Sequence, residues 1–446
     1  MFAVVDQVLE LAAARGARDV EAYAERGVSR RLKVYQGEVE QLVAAQRRGV
    51  GVRVFHEGAV GYASTSDLSP AGIDQVVARA VALAGAADAD PHRVVPGAAG
   101  PPADVTPYDP RLATASDAEK IDLALSVEAA AQGADPRVKS VQDTIYVDGD
   151  GEVFLANSAG VRGSYRANQC YTFSHVLAEE RGQIETGVSY AIGRALEDLD
   201  GPACGAEAAA RACRLLGARK CPSMQATVVL EPFVAAAFFG VLSAALTAEA
   251  VQKGRSLFAG REGQVVADTG FALADDGRHP DGLDSAPFDG EGTPSRRTPL
   301  VAGGVLQGFL YDTYTARKAG RASTGNGLRG SYQALPGVHP TNLLVEGTAT
   351  PVDKIVAGIE RGVLVTDAVG VHSGANPVSG EFSVGISGVL IESGRLTTPV
   401  REVTLAGDLL GMLREVVATG DDARWVPGGS ILTPSLVIEG MAIGGT

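Results

Sequence analysis

The chain has 446 residues, of which 45% are hydrophobic, and it carries a formal net charge of −14 with a pI near 5.0. This length and hydrophobic content predict a globular protein with a sizeable core and two or three domains. The acidic balance argues against nucleic acid as a partner, because phosphate backbones are held mainly by Lys and Arg.

The first two hundred residues combine helices with alternating strands. The N-terminus lacks the basic and apolar segments of a signal peptide, and no apolar run approaches the roughly 18 residues that span a bilayer, so we expect a cytoplasmic protein without a membrane segment. Predicted helices run from Phe2 to a stop at Gly16, from the Ser69 N-cap to about Leu83, from a Ser116–Glu119 capping box to Gly133, and from Ala206 to Leu216. Predicted strands cover 20–25, 31–35, 39–46, 50–55, 138–147, 152–157, 161–165, 170–178 and 184–191.

Turn residues separate these predicted strands. Gln36-Gly37, Gly49, Glu57-Gly58 and Asp148–Gly151 are expected to be turns or breaks. Together the elements predict an α+β fold that begins with an antiparallel sheet and its helices, in an N-terminal domain of residues 1–220.

The second domain, residues 221–446, is expected to be β-rich, because Gly and β-branched residues dominate beyond Pro222. One helix, from Phe233 to Glu249, is apolar on all sides, which predicts that it is buried. Predicted strands cover 225–230, 343–346, 363–368, 383–392, 400–405 and 435–439.

Several local patterns argue against a self-contained catalytic or metal centre. The four cysteines, Cys170, Cys204, Cys213 and Cys221, form no C-x-x-C pair, which predicts reduced and mostly buried thiols. The single His-Glu dipeptide, His56-Glu57, is at a predicted hairpin turn without a second His nearby. Nucleophile and nucleotide motifs such as G-x-S-x-G and Walker A are absent from the sequence.

Two stretches carry a family resemblance. They are Phe288-Asp-Gly-Glu-Gly292 with the residues up to Asn326, and the closing Gly428-Gly-Ser430-Ile-Leu-Thr-Pro434. The C-terminal half resembles the TldD/PmbA (TldD/TldE) family of metalloprotease subunits from about Val228 to Met441. The N-terminal half is similar more loosely, through Gly49-Val-Gly-Val-Arg53.

The resemblance implies that this chain is the PmbA/TldE-type subunit without a zinc site. In the catalytic chain of the family, an H-E-x-x-x-H motif and a C-terminal Cys hold the metal. The corresponding positions here are near Gly240, Val241 and Ala245, none of which can bind a metal, and Gly374–Ser383 contains no Cys. We therefore expect no cofactor on this chain and zinc on a TldD-like partner.

The glycine-rich segment Gly325–Gly330 matches G-x-G-x-x-G, but a Pro-containing stretch follows it instead of a helix, so a dinucleotide site is rejected. A structural loop and a loop beside a substrate groove both fit this pattern. The resemblance favours the groove, and the candidate substrate-binding residues are Ser323, Thr324, Gly325 and Asn326.

The resemblance further implies a heterodimer that encloses an unfolded peptide as an added β-strand and cleaves it at the partner's zinc. Two alternatives remain open from the sequence. The same heterodimer could hydrolyse an amide in a small biosynthetic intermediate, or the chain could be a homodimeric binding or scaffold protein without catalysis.

Overall fold

The computed structural model describes residues 1–426 and 430–445, so Gly428 and Gly429 of the closing motif lie outside the described residues. An antiparallel sheet with its helices comes first along the chain, and a β-rich domain with a closed barrel follows. The predicted α+β fold is confirmed. In the part of the chain that the structure describes, no helix has the length and hydropathy needed to cross a bilayer.

The N-terminal sheet has six antiparallel strands: β1 (Asp19–Tyr35), β2 (Glu38–His56), β3 (Ala59–Thr65), β4 (Val138–Asn157), β5 (Arg162–Glu180) and β6 (Gln183–Gly193). Their order across the sheet is β3-β2-β1-β4-β5-β6. The strands are longer than predicted: β1, β2, β4 and β5 have 17, 19, 20 and 19 residues. The predicted break at Gly49 is wrong, because β2 continues through this residue.

The hairpin turn predicted at Asp148–Gly151 is also wrong. These residues lie inside β4, where Asp148 is opposite Arg30 of β1. The buried Asp148 carboxylate is 2.7 Å from Lys120 Nζ and 3.3 Å from the Arg30 guanidinium. Turn-forming composition is overridden here because the surrounding structure supplies cations that compensate the buried aspartate.

Helices cover the N-terminal sheet: α1 (Phe2–Ala14), α2 (Pro70–Ala86), α3 (Pro110–Thr114), α4 (Asp117–Gly133) and α5 (Gly201–Arg214), with a short 3-10 helix at Leu196–Asp198. Helices α1 and α2 share one apolar cluster with β1–β3, and α4 and α5 share others with β4–β6. The predicted caps are confirmed. The Ser69 hydroxyl accepts from Gly72 N at 3.2 Å, and Ser116 with Glu119 forms the capping box of α4.

The β-rich part contains two six-stranded sheets and a small ribbon. Its strands are β7 (Met224–Leu230), β8 (Ala272–Asp276), β9 (Arg297–Ala302), β10 (Val305–Leu306), β11 (Gly327–Leu328), β12 (Gly337–Val338), β13 (Leu343–Glu346), β14 (Arg361–Val369), β15 (Glu381–Glu392), β16 (Arg395–Asp408), β17 (Val416–Thr419), β18 (Arg424–Val426), β19 (Ile431–Thr433) and β20 (Leu436–Gly444). One sheet has the order β16-β15-β14-β7-β20-β17, and pairing of β16 with β20 closes five of its strands into a barrel. The other has the order β10-β9-β8-β13-β19-β18.

The helices of this part are α6 (Pro232–Ala245), α7 (Ala248–Gln252), α8 (Thr313–Ala319), α9 (Val352–Ala357), α10 (Val371–Gly374) and α11 (Leu409–Arg414). The predicted helix from Phe233 to Glu249 is therefore two helices, α6 and α7. Helix α6 follows β7 directly, and its Phe238, Phe239 and Leu242 are fully buried in the largest apolar cluster. The prediction of a buried helix is confirmed for the side of α6 that carries these three residues. Ala237, Gly240 and Ala244 on the other side are exposed.

Candidate functional site

A cavity of about 760 Å³ runs along α6. Its walls come from α6 and α7, from residues 338–340, and from Pro377, Val426 and Ile431. A cavity of this size, mostly apolar with a few polar groups, is typical of ligand-binding sites. It is the first candidate for a site in this chain.

The side of α6 that faces the cavity carries very small side chains. Phe238 and Phe239 point into the core, where Phe239 stacks on Phe271 with ring centroids 6.1 Å apart. The opposite stripe contains Ala237, Gly240 and Ala244, which are exposed and line the cavity. Because residues three and four apart share one helix face, this stripe forms a smooth apolar wall.

The α6 stripe offers no ligand to a metal. Of the positions that the family pattern assigns to metal chemistry, Gly240 lines the cavity, Val241 is half-buried and Ala245 is fully buried in the core. None of these side chains has a lone pair for zinc. Within residues 1–426 and 430–445, no three His, Cys, Asp or Glu side chains form a group suited to a metal ion. A zinc centre at this wall would have to take its ligands from elsewhere.

Polar groups lie at the rim of the cavity. Glu249 of α7 and Lys253, the residue after this helix, form an ion pair with 2.5 Å between Oε1 and Nζ. Asp284, His339 and Arg255 also line the cavity. The small residues of α6 leave space beside the helix, whereas the rim offers groups of both charges and hydrogen-bond donors and acceptors.

A buried hydrogen-bond network holds the part of the cavity wall formed by residues 338–340. The Asp275 carboxylate accepts from Thr341 N at 2.6 Å and from Asn326 Nδ2 at 2.7 Å. Asn326 also donates to the carbonyl of His339 at 3.0 Å. Burial raises the pKa of Asp275 to about 7. The network fixes residues 339–341, and so the position of His339 at the cavity.

The four candidate substrate-binding residues lie in this same region. Thr324, Gly325 and Asn326 are buried, and Ser323 is half-buried. The Thr324 hydroxyl bonds the Asn326 side chain at 2.6 Å and the Tyr311 carbonyl at 3.0 Å. The structure therefore brings the four residues together behind the cavity wall and uses their polar side chains within the protein.

The Phe288–Gly292 motif lies elsewhere, between the N-terminal sheet and the β-rich part. We define the junction cluster as Glu21, Arg53, Asp289, Glu291 and Arg329. Arg53 is directly opposite Glu21 in the sheet and donates to Glu21 at 2.8 Å and to Glu291 at 3.0 Å. Arg329 donates to Glu21 and, at 2.8 Å, to the carbonyl of Gly290.

The carboxylates of the junction cluster also hold backbone groups. Glu291 accepts from Thr313 N at 2.8 Å, and Asp289 accepts from Gly327 N at 2.8 Å. Burial and the neighbouring Glu291 raise the pKa of Asp289, whereas Arg53 and Arg329 hold the pKa of Glu21 below its usual range despite its burial. The motif thus joins the two parts of the chain and leaves the α6 cavity to other residues.

The sequence reasoning missed the junction cluster and the rim residues Asp284 and His339. A signal for the cluster was present: Glu21 and Arg53 each interrupt an otherwise apolar run of a strand, and a charge in such a run needs a buried partner. No comparable signal marks Asp284 or His339, because distant segments bring them to the cavity. All four cysteines are free and buried, as predicted.

The chain matches models of three successive domains of the PmbA/TldA metallopeptidases: domain 1 at residues 20–84, the central domain at 110–216 and the C-terminal domain at 223–445. It is 30% identical to Metalloprotease PmbA of Escherichia coli O157:H7 over 444 residues, which covers 98% of this chain and 95% of that protein. It is 28% identical to the Metalloprotease TldD homolog of Haemophilus influenzae over 434 residues, covering 90% and 87% of the two chains.

A solved structure agrees with this relationship at the level of the fold. The crystal structure of TldE from Thermococcus kodakarensis superposes with a TM-score of 0.92, covers 99% of this chain and 100% of its own, and is 21% identical. Domain models that span most of the sequence, together with a relative matched almost from end to end, establish that this chain belongs to the PmbA/TldD metallopeptidase family.

Proposed function

We propose that this chain is the subunit without metal ligands in a heterodimeric TldD/TldE-type zinc metallopeptidase that hydrolyses unfolded peptides in the cytoplasm. Its partner is a TldD-like chain that binds the zinc and activates the water. This chain contributes the α6 cavity to the substrate chamber and has no catalytic residue of its own.

The observation that carries the proposal is the cavity-facing stripe of α6. Ala237, Gly240 and Ala244 line a cavity of about 760 Å³ on the helix where the family pattern places its metal ligands. The cavity supports a role in enclosing substrate, and the absence of donor atoms on the stripe supports chemistry supplied by another chain. The similarity to a TldD homolog supports a partner of the same family.

An unfolded peptide is the substrate class that a smooth wall suits best. Main-chain hydrogen bonds can hold an extended peptide of any sequence, and small wall residues leave space for varied side chains. The network of Asp275, Asn326 and Thr341 would keep His339 in place at this wall. Contact of the substrate with Ser323, Thr324, Gly325 and Asn326 stays a prediction.

The primary test compares this chain alone, a TldD-like chain alone and their mixture, each with its zinc content measured and with an unstructured peptide as substrate. We expect cleavage only in the mixture and zinc only on the partner. Zinc and cleavage with this chain alone would refute the proposal. If the mixture cleaves a small N-acyl amide but not the peptide, the complex is an amide hydrolase and the peptidase proposal is wrong.

A cavity-filling variant tests the role of the α6 wall. A Cβ added at Gly240 meets nothing within 4 Å, and this position lines the cavity, so a larger side chain can extend into that space. We expect Gly240→Phe to lower peptide cleavage by the mixture at least tenfold while complex formation persists. The matched control is Gly85→Phe in α2, where an added Cβ is equally free. If Gly240→Phe leaves cleavage unchanged, this cavity is not part of the substrate chamber.

A further inference from the structure

A smaller cavity of about 270 Å³ adjoins the α6 cavity. Glu249, Lys253 and Val338 line both spaces, so the two cavities meet beside α7. The smaller one lies between the N-terminal sheet, which supplies Arg53, and residues 312–315 of the β-rich part. We call it the side cavity. A chain that lies along α6 therefore reaches the side cavity at the end of α7.

The side cavity contains a buried cation with unused hydrogen-bond donors. Arg53 is 7% exposed, and its bonds to Glu21 and Glu291 both come from Nη2, at 2.8 and 3.0 Å. In the part of the chain that the structure describes, no group accepts from its Nε or Nη1. The guanidinium lies 4.9 Å from the centroid of the Phe55 ring, and both residues line the side cavity. Because a buried N–H group without a partner costs free energy, this wall is suited to an acceptor that enters from the cavity.

Two further cations at the side cavity are available to a ligand. Arg93 is exposed, lies over the Tyr314 ring at 5.5 Å and forms no ion pair with a described residue. Lys253 pairs with Glu249, and the two side chains are 54% and 48% exposed. An ion pair so exposed contributes little to stability, so Lys253 can turn to an anion in the cavity at small cost.

The buried acids of this wall are already occupied within the protein. Glu291 accepts from Arg53 and from Thr313 N. Asp312 accepts from Thr315 N at 2.7 Å and so caps α8. Burial and the nearby Glu291 raise the pKa of Asp312, which reduces its repulsion of another carboxylate. The unused groups of the side cavity are therefore mainly donors and cations, the combination that recognises a carboxylate.

We propose that the side cavity binds the C-terminal carboxylate of the peptide that lies along α6. The identity of the ligand rests on the proposed function, whereas its charge follows from Arg53, Arg93 and Lys253. The α6 cavity extends from Phe233 at the start of α6 to Lys253 after α7, so the peptide runs in the same direction as the helix. The 14 residues of α6 span about 21 Å, which is the length of about six extended residues.

Binding of paired peptides to the isolated chain tests this site by fluorescence anisotropy. The two probes are unstructured peptides of one sequence, long enough to cover α6 and labelled at the N-terminus; one ends in a free carboxylate and the other in an amide. We expect the acid to bind at least about tenfold more tightly, because the amide loses the charge-assisted hydrogen bonds. Arg93→Gln and Lys253→Gln should each lower the affinity for the acid about threefold or more and leave the affinity for the amide unchanged.

The matched control is Arg79→Gln in α2. Arg79 is exposed, lines neither cavity and forms no ion pair with a described residue, so this variant should bind both peptides like the wild type. Equal affinities of the wild type for acid and amide would overturn the proposal. Variants at Arg93 and Lys253 that weaken both peptides equally would also overturn it.

Succinate serves as a third probe, in competition with the peptide acid. If succinate displaces the peptide at concentrations equal to or below those of the peptide itself, the site takes free carboxylic acids, and its assignment to a peptide end is wrong. No TldD-like chain is present in these samples, so failure of the proposed peptidase would leave the preference for the acid intact. Cleavage by the mixture without this preference would contradict the role of the side cavity alone.

Discussion

The junction cluster contains many charged groups, whereas the α6 wall, formed by the stripe of small residues, contains none. The junction cluster buries Glu21, Arg53 and Glu291 between the N-terminal sheet and the β-rich part, with each charge compensated by an ion pair. The α6 wall places Ala237 and Gly240 beside a cavity of about 760 Å³. The charged junction cluster therefore holds two parts of the chain together. The α6 wall, which has space for a ligand, carries almost no polar groups.

The difference shows that charged residues in a motif need not mark a reaction centre. A buried ion pair needs complete compensation, and the Phe288–Gly292 motif supplies it where two parts of the chain meet. A chamber that accepts many peptide sequences needs space and few fixed polar groups. The comparison therefore predicts large stability effects at the junction cluster and small ones at the α6 wall.

The largest effect is expected from Arg53→Met, which removes the cation between Glu21 and Glu291. Arg329 still pairs with Glu21, but Glu291 loses its ion pair in a buried setting. We expect the free energy of unfolding to fall by about 3–5 kcal/mol, the usual cost of breaking a buried pair. Urea unfolding followed by circular dichroism measures this change.

The matched control for this prediction is Arg26→Met, in the same sheet. Arg26 pairs with Glu152 at 2.5 Å, but its side chain is 58% exposed. A surface pair contributes about 0–1 kcal/mol, so the control should change stability little. Equal effects of the two substitutions would contradict the view that burial of the junction cluster makes its ion pairs important.

The next effect concerns Asp275, which supports the cavity wall from behind. Burial raises its pKa from the ordinary 3.8 to about 7. The folded state therefore binds the proton more tightly than the unfolded state, and the stability from this binding is present below about pH 4 and is lost as the pH rises through 7. Asp275→Asn cannot titrate, so its disadvantage relative to the wild type should shrink by a few kcal/mol between pH 4 and pH 8.

Urea unfolding of the wild type and Asp275→Asn at several pH values measures this difference. Asp281→Asn is a suitable control, because Asp281 is exposed in the neighbouring loop and the substitution removes the same charge. As an exposed substitution, it should change the free energy of unfolding by no more than about 0.5 kcal/mol. A constant difference between Asp275→Asn and the wild type would show that Asp275 is ionised throughout.

Local signals predicted much of this fold. The helix caps at Ser69 and Ser116, the turn at Gln36-Gly37 and the α+β class all follow from short-range chemistry, and the structure confirms them. Local sequence could not predict that β4 continues through Asp148–Gly151, because this continuity depends on Lys120 and on the neighbouring strands. Long-range compensation overrides local propensity at such positions.

The site could be predicted only in part. The family pattern indicated α6 as the place to look, but the split of α6 into a buried side and a cavity side is hidden by a sequence that is apolar all round. The junction cluster joins residues 238 positions apart, Arg53 and Glu291, so their pairing depends on how the sheet and the β-rich part pack. Which charges meet is decided by tertiary structure.

The smallest effect is expected at the α6 wall itself, from Gly240→Ala. Gly240 lies inside a helix and an added Cβ meets nothing within 4 Å, so the substitution costs no packing. Because glycine loses more backbone freedom on folding than alanine does, we expect a gain of about 0.5–1 kcal/mol in the free energy of unfolding. At Gly85 an added Cβ is equally free, but this residue is in the last turn of α2, so Gly85→Ala should give a smaller gain. A loss of stability at Gly240 alone would mean that this wall is packed against something in the isolated chain, and the contrast with the junction cluster would then fail.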